Sequence, residues 1–184
     1  MGLEIEKKYR ITSAQRDELL HCLSRAGAML RGEEFEENTL YAGGTLNVEH
    51  QVLRLRRTGE KTLLTFKERF ASSSAIKRQR EDETSIGNAN ALHAILCAVG
   101  FTPALVYEKR RATWNIAGAE VVVDELSFGL FVEIEGEEHS ILDLEQRLGL
   151  DTAEAEMFSY PELAARHGTK RDGLIEARFE KPLP

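Results

Sequence analysis

Cysteine is nearly missing from this chain. Cys22 and Cys97 stand in separate helical patterns, in no CxxC spacing and near no histidine cluster, and both read as buried free thiols rather than a disulfide. The five histidines are scattered, which excludes a conventional zinc site. No apolar run approaches the roughly 20 residues of a membrane span, and the first residues are charged where a secretory signal would be apolar; a cytoplasmic protein is expected. Surplus positive charge is lacking as well. With 24 Lys and Arg against 31 Asp and Glu, the formal net charge of −7 argues against a general nucleic-acid or anionic-membrane binder. Low-complexity segments and long linkers are also missing, so 184 residues with 42% hydrophobic and 30% charged content predict one well-buried folding unit.

Against these absences stands the run Glu4-Ile5-Glu6-Lys7-Lys8-Tyr9. Side chains of a strand alternate faces, so Glu4, Glu6 and Lys8 project together while Ile5 and Tyr9 point the other way. Two such carboxylates can share a hard divalent cation, and a lysine on the same face can hold a phosphate that the cation bridges. A solvated charge ladder is the bland alternative for one strand, but the pattern recurs. Phe131-Val132-Glu133-Ile134-Glu135 repeats it, and Leu53-Arg54-Leu55-Arg56, Leu64-Thr65-Phe66-Lys67, Tyr107 to Arg111 and Val121-Val122-Val123-Asp124 carry charge at alternate positions. Basic residues concentrated in strands of an acidic protein point to a focused site for a small, highly charged anion.

Thr12 to Gln15 reads as a capping box opening a helix over 13–26 that ends at Gly27. Strands are predicted around 33–41, 51–58, 61–69 and 76–86, divided by Ala42-Gly43-Gly44, Thr58-Gly59-Glu60 and the Ala71 to Ser74 tract. A second helix runs from Asn90 to Gly100, strands follow near 104–116, 119–126 and 129–136, and a third helix spans Ser140 to Gly149. Ser159-Tyr160-Pro161-Glu162 suggests a short capped helix, and the chain from about Gly168 reads as a loose tail. The acidic E-x-E strand occurs once in each half, a hint of duplication too divergent to count as a repeat. An open sheet with its charged face in water would favour mixed Thr, Ser and Gln there; the repeated Arg, Lys and Glu fit better a closed antiparallel barrel with a charged lumen and an apolar outer face under helices. Trp114 and Tyr107 read as core aromatics rather than base-stacking platforms.

The ordered series ExExK, LRLR, TFK, EKRR, VDE and VEIE resembles the CYTH family, the triphosphate tunnel metalloenzymes that include class IV adenylyl cyclases and thiamine triphosphatases, over Leu3 to about Tyr160. The resemblance implies an α+β fold, with an eight-stranded antiparallel β-barrel forming a triphosphate tunnel flanked by helices, in a single domain at 1–167 with a tail at 168–184. It implies Mg²⁺ or Mn²⁺ bound by Glu4, Glu6, Asp124, Glu133 and Glu135. Lys8, Arg54, Arg56, Lys67, Arg80, Lys109 and Arg111 are the implied triphosphate ligands, with Glu6 and Lys8 catalytic. In the segment Lys77 to Glu83 both parities carry charge; Glu81 and Glu83 resemble an E-x-E strand, an alternation that would turn Lys77 inward and Arg78 and Arg80 outward. Asn38-Thr39-Leu40-Tyr41-Ala42 departs from the aromatic and aspartate pattern frequent after the family's second strand.

The expected function is metal-dependent hydrolysis of the terminal phosphate of tripolyphosphate, thiamine triphosphate or ATP. The alternatives are a class IV adenylyl cyclase making cyclic AMP and pyrophosphate, and a non-catalytic polyphosphate or nucleotide-binding module, which the full acidic set disfavours. A homodimer is the default for a small enzyme, with no nucleic-acid or membrane partner.

Overall fold

The computed structural model describes residues 2–59, 61–70 and 74–180. Its chain order is β1 (Gly2–Ile11), α1 (Ser13–Arg25), β2 (Met29–Gly43), β3 (Gln51–Arg57), β4 (Thr62–Arg69), β5 (Ile76–Ser85), α2 (Ala89–Ala98), β6 (Phe101–Ile116), β7 (Ala119–Leu126), β8 (Gly129–Glu135), α3 (Glu138–Arg147), β9 (Glu154–Ala155), α4 (Tyr160–His167), β10 (Thr169–Arg171) and β11 (Leu174–Ala177). The expected elements are therefore present, with boundaries shifted by a few residues. Glu60 of the expected second turn and residues 71–73 of the serine tract lie outside the described residues.

The strands pair in the order β6-β2-β3-β4-β5-β1-β8-β7, every neighbour antiparallel, and β7 pairs back onto β6. The sheet is thus closed into a ring of eight strands, accompanied among the described residues by four α-helices. Closure requires neighbouring strands to be staggered, and β1 shows how: Gly2–Lys7 pair with β5, whereas Glu6–Ile11 pair with β8. At the far end of β2, Gly43 has φ +117, and a Cβ there would lie 2.3 Å from the Gly100 carbonyl oxygen, so the close approach of β2 to β6 requires glycine.

Local chemistry explains the helices. Thr12 caps α1 in a reciprocal box with Gln15, and Ser159 does the same for α4 with Glu162, with Pro161 in the first turn. Asn88 caps α2 by accepting from the Ala91 N–H. The outward apolar face of β1, β7 and β8 is covered by α1 and α3, through Tyr9, Leu19, Leu23, Val121, Val132 and Ile141. Leu96 of α2 packs on Tyr41 and Leu55, and α4 closes one end of the ring through Tyr160 and Leu163 against Tyr107 and Phe131. Apolar side chains sit outside the ring under helices, and polar ones face its interior.

Two expectations differ from the structure. Both thiols are free, but Cys22 is only half-buried and Cys97 is exposed, because α2 turns Leu96 toward the sheet and its neighbour away from it. The stretch expected as a loose tail instead forms the β10–β11 hairpin, with β11 parallel to β6. Arg178 then ties it down, Nη1 reaching Glu37 at 2.6 Å and Glu108 at 2.8 Å. The last residues, 181–184, lie outside the described residues.

Candidate active site

The ring encloses a cavity of about 430 Å³, within the range of small-ligand pockets, lined by side chains of every ring strand except β2. Strand parity places the lining. Glu4, Glu6 and Lys8 enter from β1, Arg54 and Arg56 from β3, Lys67 from β4, Lys109 and Arg111 from β6, Glu133 and Glu135 from β8. These ten expected site residues converge on one space from strands far apart in sequence.

The interior is electrically divided. On the β3–β6 side, Arg54 is 7% exposed and Lys109 1%. Burial first and Arg111 second push Lys109 down to about 8. The Arg54 Nε–H is buried and meets no hydrogen-bond acceptor among the described residues, a donor that an anion could satisfy, whereas the Arg56 Nε lies 3.5 Å from Glu36 Oε2. Burial raises the proton affinity of Glu4 and Glu6, and neighbouring carboxylates add to it, Glu81 for Glu4 and Glu133 then Glu4 for Glu6. Glu135, the most exposed of the set, is pushed up to about 7 by partial burial, with Glu4, Glu120 and Glu6 adding repulsion against the pull of Lys67. Lys67 bridges the halves, 2.6 Å from Glu4 Oε2 and 3.0 Å from Glu81 Oε2.

Lys8 is almost fully buried beside Glu133 Oε1 at 3.1 Å, with its ammonium 3.7 Å from the Tyr160 ring centroid. Against the opposing effect of burial, Lys8 and then Arg111 hold the Glu133 carboxyl well below the usual range. The segment leading into α4 covers this end: Lys8 Nζ donates to the Phe158 carbonyl at 3.4 Å, and Lys77 Nζ to the Phe158 and Glu156 carbonyls at 3.3 and 3.4 Å. Burial and then the Lys8 charge push Lys77 down to about 8.

Two expected residues sit elsewhere. Arg80 lies on the opposite face of β5, paired with Asp82 at 2.7 Å and over the Phe66 ring; the register Glu4↔Gln79 turns Lys77, Gln79 and Glu81 inward. Gln79 Nε2 donates to Glu4 Oε2 at 2.9 Å. Asp124 is fully buried and absent from the cavity wall. It accepts from Arg111 Nε at 2.8 Å and Nη2 at 2.5 Å, which fixes the orientation of that guanidinium. Glu83 faces inward and accepts from Thr65 Oγ1 at 2.8 Å.

Sequence reasoning missed Glu36. It is 1% exposed on β2, 3.4 Å from Lys109, 3.5 Å from Arg56 and 4.0 Å from Arg111. Its signal was its parity opposite Lys109, hidden by acids on both faces of Glu33-Glu34-Phe35-Glu36-Glu37.

Among the described residues, no three acidic, histidine or cysteine side chains are gathered into a ready-made metal cage. The chemistry of the donor set nevertheless fits a hard cation. Glu4, Glu6 and Glu135 crowd like charges whose repulsion a divalent ion would discharge, and such an ion takes few protein carboxylates when phosphate oxygens complete its shell.

No helix is long and apolar enough to cross a membrane among the described residues. A search of curated proteins finds no match. Several solved structures share the fold. A conserved hypothetical protein from Pyrococcus furiosus is 24% identical with a TM-score of 0.76, covering 87% of this chain and 99% of that one. A candidate adenylate cyclase from Vibrio parahaemolyticus is 21% identical with a TM-score of 0.69, covering 89% and 98%. A Hippeastrum protein, described as a candidate adenylyl cyclase with a dominant triphosphatase activity, is 17% identical with a TM-score of 0.69, covering 89% and 94%. At these identities the likeness is one of fold; the family is decided by the match of the CYTH domain to residues 2–156, and the chain belongs to the CYTH domain family.

Proposed function

We propose that this protein hydrolyses the terminal phosphate of a small triphosphate, with Mg²⁺ or Mn²⁺, inside the ring acting as a triphosphate tunnel. The observation that carries the reading is the division of one cavity inside the ring into a side rich in buried guanidinium and ammonium groups and a side of mutually repelling carboxylates. A triphosphate carries about four negative charges, which arginine forks hold and which carboxylates alone would repel.

In this reading Arg54, Arg56, Lys67, Lys109 and Arg111 fix the phosphate chain, and Asp124 keeps the Arg111 fork in place. Glu4, Glu6 and Glu135 would hold the cation, with Glu133 set back by its pairs to Lys8 and Arg111. The bound ion would supply neutralisation of phosphate charge in the loose transition state. Lys8 orients a water in line with the terminal phosphorus. As the water oxygen bonds to phosphorus and the bridging P–O bond breaks, the shortened phosphate chain leaves and Glu6 takes the water's proton. The segment before α4 keeps bulk water from that end. Positioning and electrostatics carry most of the rate.

Ion chromatography of products from tripolyphosphate, thiamine triphosphate and ATP, each with Mg²⁺, Mn²⁺ or EDTA, tests this. Metal-dependent orthophosphate release is the expected result. Cyclic AMP with pyrophosphate from ATP would replace hydrolysis by cyclisation, and binding without turnover would reduce the protein to a binding module.

A further inference from the structure

Glu36 is out of place for a site that binds a polyanion. A carboxylate beneath a phosphate-binding surface weakens anion binding, and burying it costs desolvation. Yet its polar surroundings are wholly cationic or amide. Its strand lies between β3 and β6, so register sets it opposite Lys109 and one step from the Asn38↔Arg56 pair. Asn38 Nδ2 donates to Glu36 Oε2 at 3.1 Å, which fixes the carboxylate from behind. Against the opposing effect of burial, Lys109 and then Arg56 and Arg111 hold its carboxyl far below the usual range. Without it, Arg56 would lose its carboxylate partner, and Lys109 and Arg111 would be offset by Asp124 and, for Arg111, Glu133.

We infer that Glu36 is a positioning residue, a resident anion that holds Arg56, Lys109 and Arg111 in the arrangement turnover requires, while its charge weakens binding of the triphosphate itself. The inference rests on the proposed triphosphate site. It explains why a buried acid besides Asp124 remains on the basic side: four preorganised cations need a counter-charge when no ligand is bound, and Glu36 is too deep to coordinate the ligand itself, since it does not line the cavity. The bound polyanion takes over part of its neutralising work, and Glu36 then opposes that ligand across the layer of cations.

The test is calorimetric binding of tripolyphosphate with Mg²⁺, alongside kcat and KM, for wild type, Glu36→Gln and Glu36→Asp. Glu36→Gln is expected to bind tripolyphosphate about tenfold tighter, the effect of removing one nearby like charge, while kcat falls at least about tenfold as the cations lose their geometry. Glu36→Asp, which keeps the charge, should return the affinity to within about twofold of wild type. Loss of structural support alone would weaken binding and turnover together. Unchanged or weaker binding by Glu36→Gln overturns the inference while leaving the triphosphate site standing. A wild-type protein that binds no tripolyphosphate overturns the site and the inference with it. Should Glu36→Gln not fold, the double variant Glu36→Gln/Arg56→Gln removes a cation with the anion; it must bind at least as tightly as Arg56→Gln alone, and weaker binding overturns the inference.

Discussion

Replacing Glu6 by Gln should stabilise this protein while disabling it. Glu6 is 8% exposed on β1, directly opposite Glu135 of β8 and two residues from Glu4. Carboxylates about 6 Å apart at an effective dielectric of about 20 repel by about 3 kcal/mol per pair. Lys8 and Lys67 offset part of this, but burial and repulsion together still raise the Glu6 proton affinity. Neutralising Glu6 should therefore leave a net gain of about 1–2 kcal/mol in metal-free buffer at pH 8, or about 2–8 °C in Tm for a chain of this size. The sign with pH follows. A carboxyl raised in the folded state contributes stability that is present below its unfolded value of 4.5 and is lost as pH rises, so the advantage of the variant widens upward from pH 4.5. Turnover should fall by about 10²–10³, the usual loss for one aligned electrostatic group. Thermal melts of both proteins in EDTA and in Mg²⁺ with tripolyphosphate are the assay. The gain should vanish in the second buffer, where only wild type binds the ion fully. A variant that melts below wild type in EDTA would show that Glu6 is a structural counter-ion of the lysines and would refute the reasoning.

Arg111→Met should cost about 3–5 kcal/mol, because it takes the paired guanidinium from the fully buried Asp124 and leaves Lys109 at 3.6 Å as its cation; Tm should fall by about 6–20 °C, and Asp124→Asn in the same chain should recover part of it. Lys77 and Lys109, both depressed to about 8 from 10.5, make ligand-free stability rise with pH between those values, since the unfolded chain then binds more protons. A bound polyanion restores those protons, so tripolyphosphate binding at pH 8–9 should take up protons, read as a binding heat that varies with buffer ionisation enthalpy; a heat independent of buffer contradicts this. Arg80→Ala, on the outer face, should leave turnover within about twofold, whereas Arg54→Ala should lower it by more than tenfold.

What could be read from the residues was the face of each strand. Glu4-x-Glu6-x-Lys8 and Glu133-x-Glu135 carry their own assignment because period-two alternation with apolar partners leaves only one face for charge. That logic fails where both parities are charged. Between Lys77 and Glu83 only the pairing with β1 and β4 decides, and it turned Arg80 outward; in Glu33 to Glu37 the same ambiguity hid Glu36. Asp124 was placed correctly on an inward position, but its partner was not visible, because the Arg111↔Asp124 register joins strands through the β6–β7 hairpin and fills its oxygens with the guanidinium. The β10–β11 hairpin escaped because its stability comes from long-range contacts, parallel pairing with β6 and the Arg178 ion pairs, rather than from any apolar alternation of its own.

The proposed site is one charge-divided cavity inside the ring, holding a triphosphate together with a divalent cation. Calorimetric titration of tripolyphosphate into wild-type protein, with EDTA and then with Mg²⁺ over a range of salt, tests it most directly. One site per chain is expected, with affinity that falls steeply with salt and at least tenfold tighter binding with Mg²⁺. Absence of binding, or binding indifferent to both salt and Mg²⁺, would contradict it.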